Sequence, residues 1–581
     1  MARLRIAPRA VAIGVTLVVW AGAPRAAAPP SSVPAQPDDR AIVHVLSRAG
    51  FGPRPGDIEQ VRRVGLSTWI DQQLHPDRIT DADVARRLGG YQTLGLSSRE
   101  IAQDYYLPAE QARRERKRAE GAKEAQKAEE AQKAEEGKGG QEGKEGKEGE
   151  GAQEGKEGNE GKAGKGGEVP EAVRRERQVM LEMSAQKIVR AVYSDRQLEE
   201  VLTDFWFNHF NVYAGKGQTR VYLTAYERDA IRPHVLGKFR DLLGATAKSP
   251  AMLFYLDNAR SADPKFAENM EAFDQMSMAR GRARRLNPEQ VDRVRKNMPT
   301  GINENYAREL MELHTLGVDG GYTQQDVINV ARALTGWTIG GPRGPQAGQF
   351  VFNARMHDTG EKVVLGHKLK AGRGVEDGEQ VLDILASHPS TARFIATALV
   401  RRFVADTPPI ALVDRAAATF RRTGGDLREV TRVILTSPEF YAPDAYRAKV
   451  KTPFEFVVSA LRVTNADVMQ PRPLERTLQQ LGMPLYFCQP PTGYKDTADT
   501  WVNTGALIGR MNFAVSLAGN GLRGVSIADP LPDPSRSDAD TAVALYLTGD
   551  ASEATRATIA RATTPAQIVA LALGSPEFQR R

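Results

Sequence analysis

The sequence predicts a mainly α fold: a multi-helix, orthogonal or bundle-like array carrying one short β-hairpin insertion and one disordered charged insertion. Three observations predict it. Apolar residues recur at helical spacing from Glu171 to the end of the chain. Helix-start and helix-stop residues bracket these runs. Only Gly340–Gly374 reads as a β region. At 581 residues the chain has ample length for a sizeable core in one or two domains.

Taken in order, residues 1–28 read as a signal peptide. Arg3, Arg5 and Arg9 precede the apolar run Val11–Ala23, and small residues follow at Ala26-Ala27-Ala28. That run is shorter than the roughly 20 residues that span a bilayer. No arginine pair precedes it and no cysteine follows it. The expectation is export by the general secretory route to the periplasm or beyond, and no integral membrane protein once the signal is cleaved. Residues 29–108 form an N-terminal helical segment, with one run at Ala41–Arg48, a GFGPRPGD turn, and a second run at Ile58–Leu74. Residues 109–168 are Lys, Glu, Gly, Ala and Gln with almost no large apolar side chain. Ala109–Glu136 suits a charged helix, whereas the glycine-punctuated remainder cannot bury enough surface to fold.

The central core spans 169–345. Leu198–Phe210 is its most aromatic helix, Thr224–Leu243 and Ser249–Asn258 are two more, and Ser249-Pro250 supplies an N-cap followed by proline at N1. The densest stretch is Asn303–Trp337. At 100° per residue, Glu304, Arg308 and Glu312 share one side of a helix, flanked by Asn305 and Glu309. Tyr306, Ala307, Leu310, Met311 and Leu313 cover the other side, and His314 falls among them. The polar side is either an i,i+4 ion ladder or the lining of a cleft. Gly317–Gly321 then makes a turn, and Thr323 with Asp326 caps a second helix that Gly336 stops. A calcium loop is rejected here because Gly317 falls at a ligand position.

Residues 346–375 are the hairpin excursion, with Gln349–Asn353 expected to pair with Lys362–Leu365 around a tip that presents His357 and Asp358. A second helical part follows at 376–523 and a C-terminal helical segment at 524–581. Two Ser-Pro-Glu-Phe junctions, at Ser437–Phe440 and Ser575–Phe578, each follow an apolar helical run and suggest duplicated units. Ser437 and Ser575 are expected as caps, and Phe440 and Phe578 as core plugs.

Composition narrows the chemistry. Cys488 is the only cysteine, so no intramolecular disulfide forms. The formal charge of +7 is modest and no basic stripe is interleaved with aromatics, which argues against nucleic acid. No GxSxG elbow or Walker A loop occurs, and no dinucleotide glycine fingerprint lies outside the low-complexity segment. Neither HExxH nor ExxH is present, since the residue three before His314 is Met311. The sequence names no cofactor.

Several stretches together carry a resemblance: HVLSRAGFGPRPGDI (44–58), DFWFNHFNV (204–212), IRPHVLGKFRDLL (231–243), PAMLFYLDN (250–258), Asn303–Trp337 and KTPFEFVVSALR (451–462). In this order they are similar to the exported bacterial family catalogued as domain of unknown function 1800. The charged insertion departs from that pattern. The resemblance implies a mostly helical exported protein whose biochemistry is not established. It also implies a partner, a second exported protein resembling sulfatases and phosphatases. It supplies no catalytic residue.

The candidates therefore rest on residue chemistry alone. Glu304, Glu309, His357 and Asp358 are the candidate catalytic groups. Asn303, Asn305, Arg308, Asp257, Asn258 and Trp337 are the candidate substrate contacts. His209 and His314 are core residues first and metal ligands, with Asp257, second. Two functions compete: an exported enzyme, in particular a metal-assisted hydrolase of a cell-envelope or polymeric substrate, and a non-catalytic binding or assembly partner of another exported protein. Convergence of these side chains in one pocket favours the first, and their dispersal favours the second.

Overall fold

Helix caps written into the sequence organise the chain. In the computed structural model, residues 32–136, 169–266, 301–341, 344, 346–528 and 539–581 are described. Residues 1–28, the expected signal peptide, and the glycine-rich part of the charged insertion lie outside them. The architecture is mainly α, with one continuous hydrophobic core running from Ile42 in the first helix to Phe578. None of the described helices is long and apolar enough to cross a membrane.

Asn303 caps helix Glu304–Glu312 by accepting from the Tyr306 amide at 3.2 Å. Thr323 and Asp326 form the reciprocal capping box of helix Gln324–Ala333. Ser249 caps Pro250–Tyr255, with proline at the first helical position. Tyr306, Ala307, Leu310 and Met311 are all buried, so the first of these helices faces the core with the expected side. It ends at Glu312, however, and His314 sits in the following turn rather than on the helix, its amide bonded to the Glu309 carbonyl.

Other helices are shorter than their hydrophobic period suggests. Ile58–Leu74 is two helices, Asp57–Val64 and Leu66–Gln73, broken at Gly65 with φ +87°. Thr224–Leu243 is interrupted: helix Thr219–Ala225 widens into a π turn at Tyr226–Ile231, tightens to a 3-10 turn containing Pro233, and restarts at Phe239–Ala247. Pro233 lacks the amide that would carry the ladder forward. The helix expected to reach Asn258 stops at Tyr255, because Asp257 takes φ +61°.

The single expected hairpin is instead two. Trp337–Ile339 pairs antiparallel with Phe350–Phe352, and Lys362–Val364 pairs with His367–Leu369. The second hairpin turns at Leu365-Gly366, where both residues have positive φ, as a two-residue I′ turn requires. His357 and Asp358 thus lie in the connection between hairpins and not at a tip. A third pair joins Asp467–Val468 to Val525–Ser526.

Helix Leu107–Glu136 packs on helix Glu171–Tyr193 through its first turns. Ala109 is buried and Arg113 pairs with the buried Glu176, while Lys117 to Glu130 are exposed. Distant segments are tied by buried arginine. On helix Pro453–Val463, Arg462 donates to the Gly52 and Val192 carbonyls, each at 2.7 Å, and meets Asp57 at 3.1 Å. The two Ser-Pro-Glu-Phe junctions behave alike. The Ser437 and Ser575 hydroxyls accept from the amides of Phe440 and Phe578 at 3.2 Å, and both phenylalanines are buried.

Candidate functional site

The polar side of helix Glu304–Glu312 is a surface network. Glu304 accepts from Gln324 at 2.7 Å, Arg308 donates to Gln324 at 2.8 Å, and Tyr322 donates to Glu312 at 3.2 Å. Arg308 and Glu304 stand 3.8 Å apart, the i,i+4 ladder of the sequence reading. Asn305 is exposed. Glu309 is half-buried, and desolvation, reinforced by Glu312, raises its carboxyl above the ordinary range. Asn303 is occupied twice, as the cap and as donor to the Leu256 carbonyl at 2.6 Å.

His209 and His314 adjoin each other with ring centroids 6.4 Å apart. His209 Nε2 donates to the His314 carbonyl at 3.1 Å, which fixes its tautomer. Burial lowers the two imidazoles to about 4 and about 3, so both are neutral near pH 7. His314 packs 5.1 Å from the Phe210 ring, and its Nε2 has no hydrogen-bond partner among the described residues. The carboxylate proposed to join them is engaged elsewhere: Asp257 is on the surface, 2.6 Å from Lys216. No group of three or more histidine, cysteine or acidic side chains among the described residues is placed to hold a metal ion.

His357 and Asp358 enter a different and buried network. The His357 Nδ1 donates to the Thr335 carbonyl at 2.9 Å, and its Nε2 is 3.5 Å from Asp377. Asp358 takes a bidentate grip from Arg332 at 2.7 and 3.1 Å, and its amide donates to the Thr335 hydroxyl. Burial works against that carboxylate, but the Arg332 bonds prevail and hold it below the usual range. Beneath them lies Lys362, with no exposed side-chain surface. Its ammonium donates to the carbonyls of Asp358 and Gly360 and to Asp377 at 2.8 Å, which uses all three hydrogens. Arg373 completes the cluster 3.1 Å from Asp377. This is a buried clasp that fixes the connection between hairpins onto helices Gln324–Ala333 and Glu376–Ser387.

Trp337 and Asn258 belong to the same structural layer. Trp337 is fully buried against Phe350, and a Cβ at Gly378 would collide with its ring. Asn258, also buried, donates to the Leu334 and Trp337 carbonyls. Cys488 is a buried thiol that burial pushes up to about 11, too high for a thiolate near neutral pH.

Sequence reasoning missed Lys362, Asp377, Arg332 and Arg373. The signal for Lys362 was present: in the strand Lys362–Val364 the period of two puts it on the same side as the buried Val364. The candidates form three separate constellations, each with its polar atoms largely committed to packing or caps. No curated protein and no solved structure matches this chain. A family model does match, over residues 44–580, and its description reads "Protein of unknown function (DUF1800)". Covering nearly the whole helical core, from the first buried helix to the end of the second Ser-Pro-Glu-Phe unit, that match shows that the chain belongs to the DUF1800 family.

Proposed function

We propose that this chain is a non-catalytic binding partner of another exported protein, which docks on the outer face of helix Thr504–Ala518. One observation carries the reading. That helix has a single charged residue, Arg510, and it is buried. Its outward side instead displays Leu507, Ile508 and Val515, which are 45%, 57% and 55% exposed, with the exposed Val502 just before the cap. A surface helix ordinarily turns charged and polar residues outward. At about 100° per residue Ile508 and Val515 fall on one side of the helix with Leu507 beside them, so the three make one exposed apolar stripe.

In this reading the occupant is a different protein, the second exported protein that the family resemblance implies, and a second copy is an outcome of the test. Its contact surface is apolar, to match a charge-free face. Export is part of the reading and rests on the order of basic, apolar and small residues in 1–28. The exported sulfatase- or phosphatase-like protein implied by the family resemblance is the first partner to test. Metal-assisted hydrolysis has less support, because His357, Asp358, Glu304 and Asp257 are held in structural contacts at separate places.

A photo-crosslinking residue in place of Ile508, in cells that export the protein, tests the proposal. The expected product is an adduct with one other exported protein, abolished by a second change, Val515→Glu. A self-adduct, no adduct, or an adduct indifferent to Val515→Glu would overturn it.

A further inference from the structure

A second feature does not depend on that docking face. Residues 449–451 pair as a short antiparallel bridge with 579–581. Around this junction six cations are buried: Arg48, Arg402, Lys449, Lys451, Arg510 and Arg581. Three carboxylates lie in ion-pair reach of them. Glu455 holds Arg402 and Arg581, and Asp406 and Asp496 hold Lys449 at 2.6 and 3.0 Å. The others make do with neutral oxygens. Arg48 donates to the Ala445 carbonyl, leaving its Nε and Nη1 without a hydrogen-bond partner among the described residues. Arg510 donates to the Gln579 side chain and the Lys451 carbonyl. Lys451 has no carboxylate within 4.0 Å among the described residues, and its ammonium rests 3.8 Å from the centre of the Phe578 ring.

Uncompensated buried charge is costly, and Lys451 is a buried ammonium with no hydrogen bond or ion pair among the described residues, so it calls for an anion. There is room for one. A cavity of about 40 Å³ opens beside Lys451, lined also by His44, Tyr446, Phe578 and Arg581. A single ordered water needs only about 10–15 Å³. His44 brings no charge, because burial lowers it to about 3. Glu577 borders the cavity, but its carboxylate is turned to the Ser552 amide and the Thr555 hydroxyl.

We propose that this cavity binds a small inorganic dianion of the phosphate or sulfate class, seated on the Lys451 ammonium. Arg447, Arg580 and Arg581 also border the cavity, against Glu577 alone, and this cationic lining favours a dianion over a monocarboxylate. Without the anion, burial brings the Lys451 ammonium down to about 7, so binding is coupled to proton uptake above that pH.

The test is a titration of the full folded chain with phosphate, sulfate and acetate against chloride at matched ionic strength, followed by thermal melting and by calorimetry in two buffers at pH 8. Saturable stabilisation by phosphate or sulfate with net proton uptake is expected, and acetate should bind at least tenfold more weakly. Lys451→Met should melt no lower than the parent without anion, since it removes an unpaired charge, and should weaken phosphate at least tenfold. Lys451→Gln provides the same comparison with a polar replacement. Equal effects of phosphate and chloride, acetate binding as tightly as phosphate, binding without proton uptake, or unchanged affinity in a folded Lys451 variant would each overturn the proposal.

Discussion

Replacing Lys362 by methionine tests whether the clasp between the hairpins is structural. The change keeps the aliphatic stem and removes an ammonium that has three acceptors and no solvent contact. Asp377 would keep only Arg373 at 3.1 Å and the His357 ring at 3.5 Å, and two backbone carbonyls would lose their donor. Breaking one side of a buried ion pair typically costs about 3–5 kcal/mol. Set against the 5–15 kcal/mol that typically holds a folded protein, that is a large fraction. Asp377→Asn in the Lys362→Met background should restore part of the loss, because it removes the stranded charge. Urea denaturation of the parent, both single variants and the double variant would yield the coupling energy, expected to exceed about 1 kcal/mol for groups in direct contact. A loss below about 0.5 kcal/mol for Lys362→Met, the range of an ordinary surface change, would refute the reasoning.

Three further outcomes are expected. The folded-state values of His209 and His314, about 4 and about 3, lie below the unfolded 6.5, so the unfolded chain binds more protons in the intervening range. The stability these neutral rings contribute is present above about pH 6.5 and falls below it by up to about 1.4 kcal/mol per pH unit for each histidine. Urea midpoints from pH 7.5 to 5 should show this slope, reduced in His314→Gln, and a flat profile would contradict it. Leu310→Ala, at a buried position facing the core, should cost about 2–5 kcal/mol in the same assay, and a near-zero loss would mean the helix faces the wrong way. Replacing residues 117–168 by a short Gly/Ser linker should leave stability within about 0.5 kcal/mol, whereas cutting from 109 should cost more, since it removes buried Ala109 and leaves the buried Glu176 with Arg220 at 3.6 Å in place of two cations. Equal melting temperatures for the two deletions would contradict that boundary.

Much of the fold was legible because its signals are local. Asn303, the Thr323–Asp326 box and Ser249-Pro250 cap the helices they precede, and the apolar face of Glu304–Glu312 is the buried one. What was not legible depends on contacts far along the chain. The π turn at Tyr226–Ile231 forms in a stretch whose hydrophobic period reads as unbroken helix. Strand pairing was misread because the Leu365-Gly366 turn places a leucine at positive φ, a position where asparagine or aspartate is the usual signal. The site suffered most. Lys362 and Asp377 are charged residues 15 positions apart, and charged side chains are mostly exposed, so only the folded backbone reveals that they are buried together. His357 and Asp358 were read as loop-tip groups, where chemistry is common, but the chain draws them inward to meet that pair.

The proposed reading puts recognition on helix Thr504–Ala518 rather than on the ionisable candidates. The most direct measurement is the affinity of the purified chain for the exported protein captured at Ile508, compared across two sets of variants. Ile508→Glu and Val515→Glu should each weaken binding at least tenfold while leaving the melting temperature unchanged, since both side chains are more than half exposed. Glu304→Gln and Glu309→Gln should bind as the parent does. The opposite pattern, with affinity untouched by the helix variants and lost in Glu304→Gln or Glu309→Gln, would contradict the account.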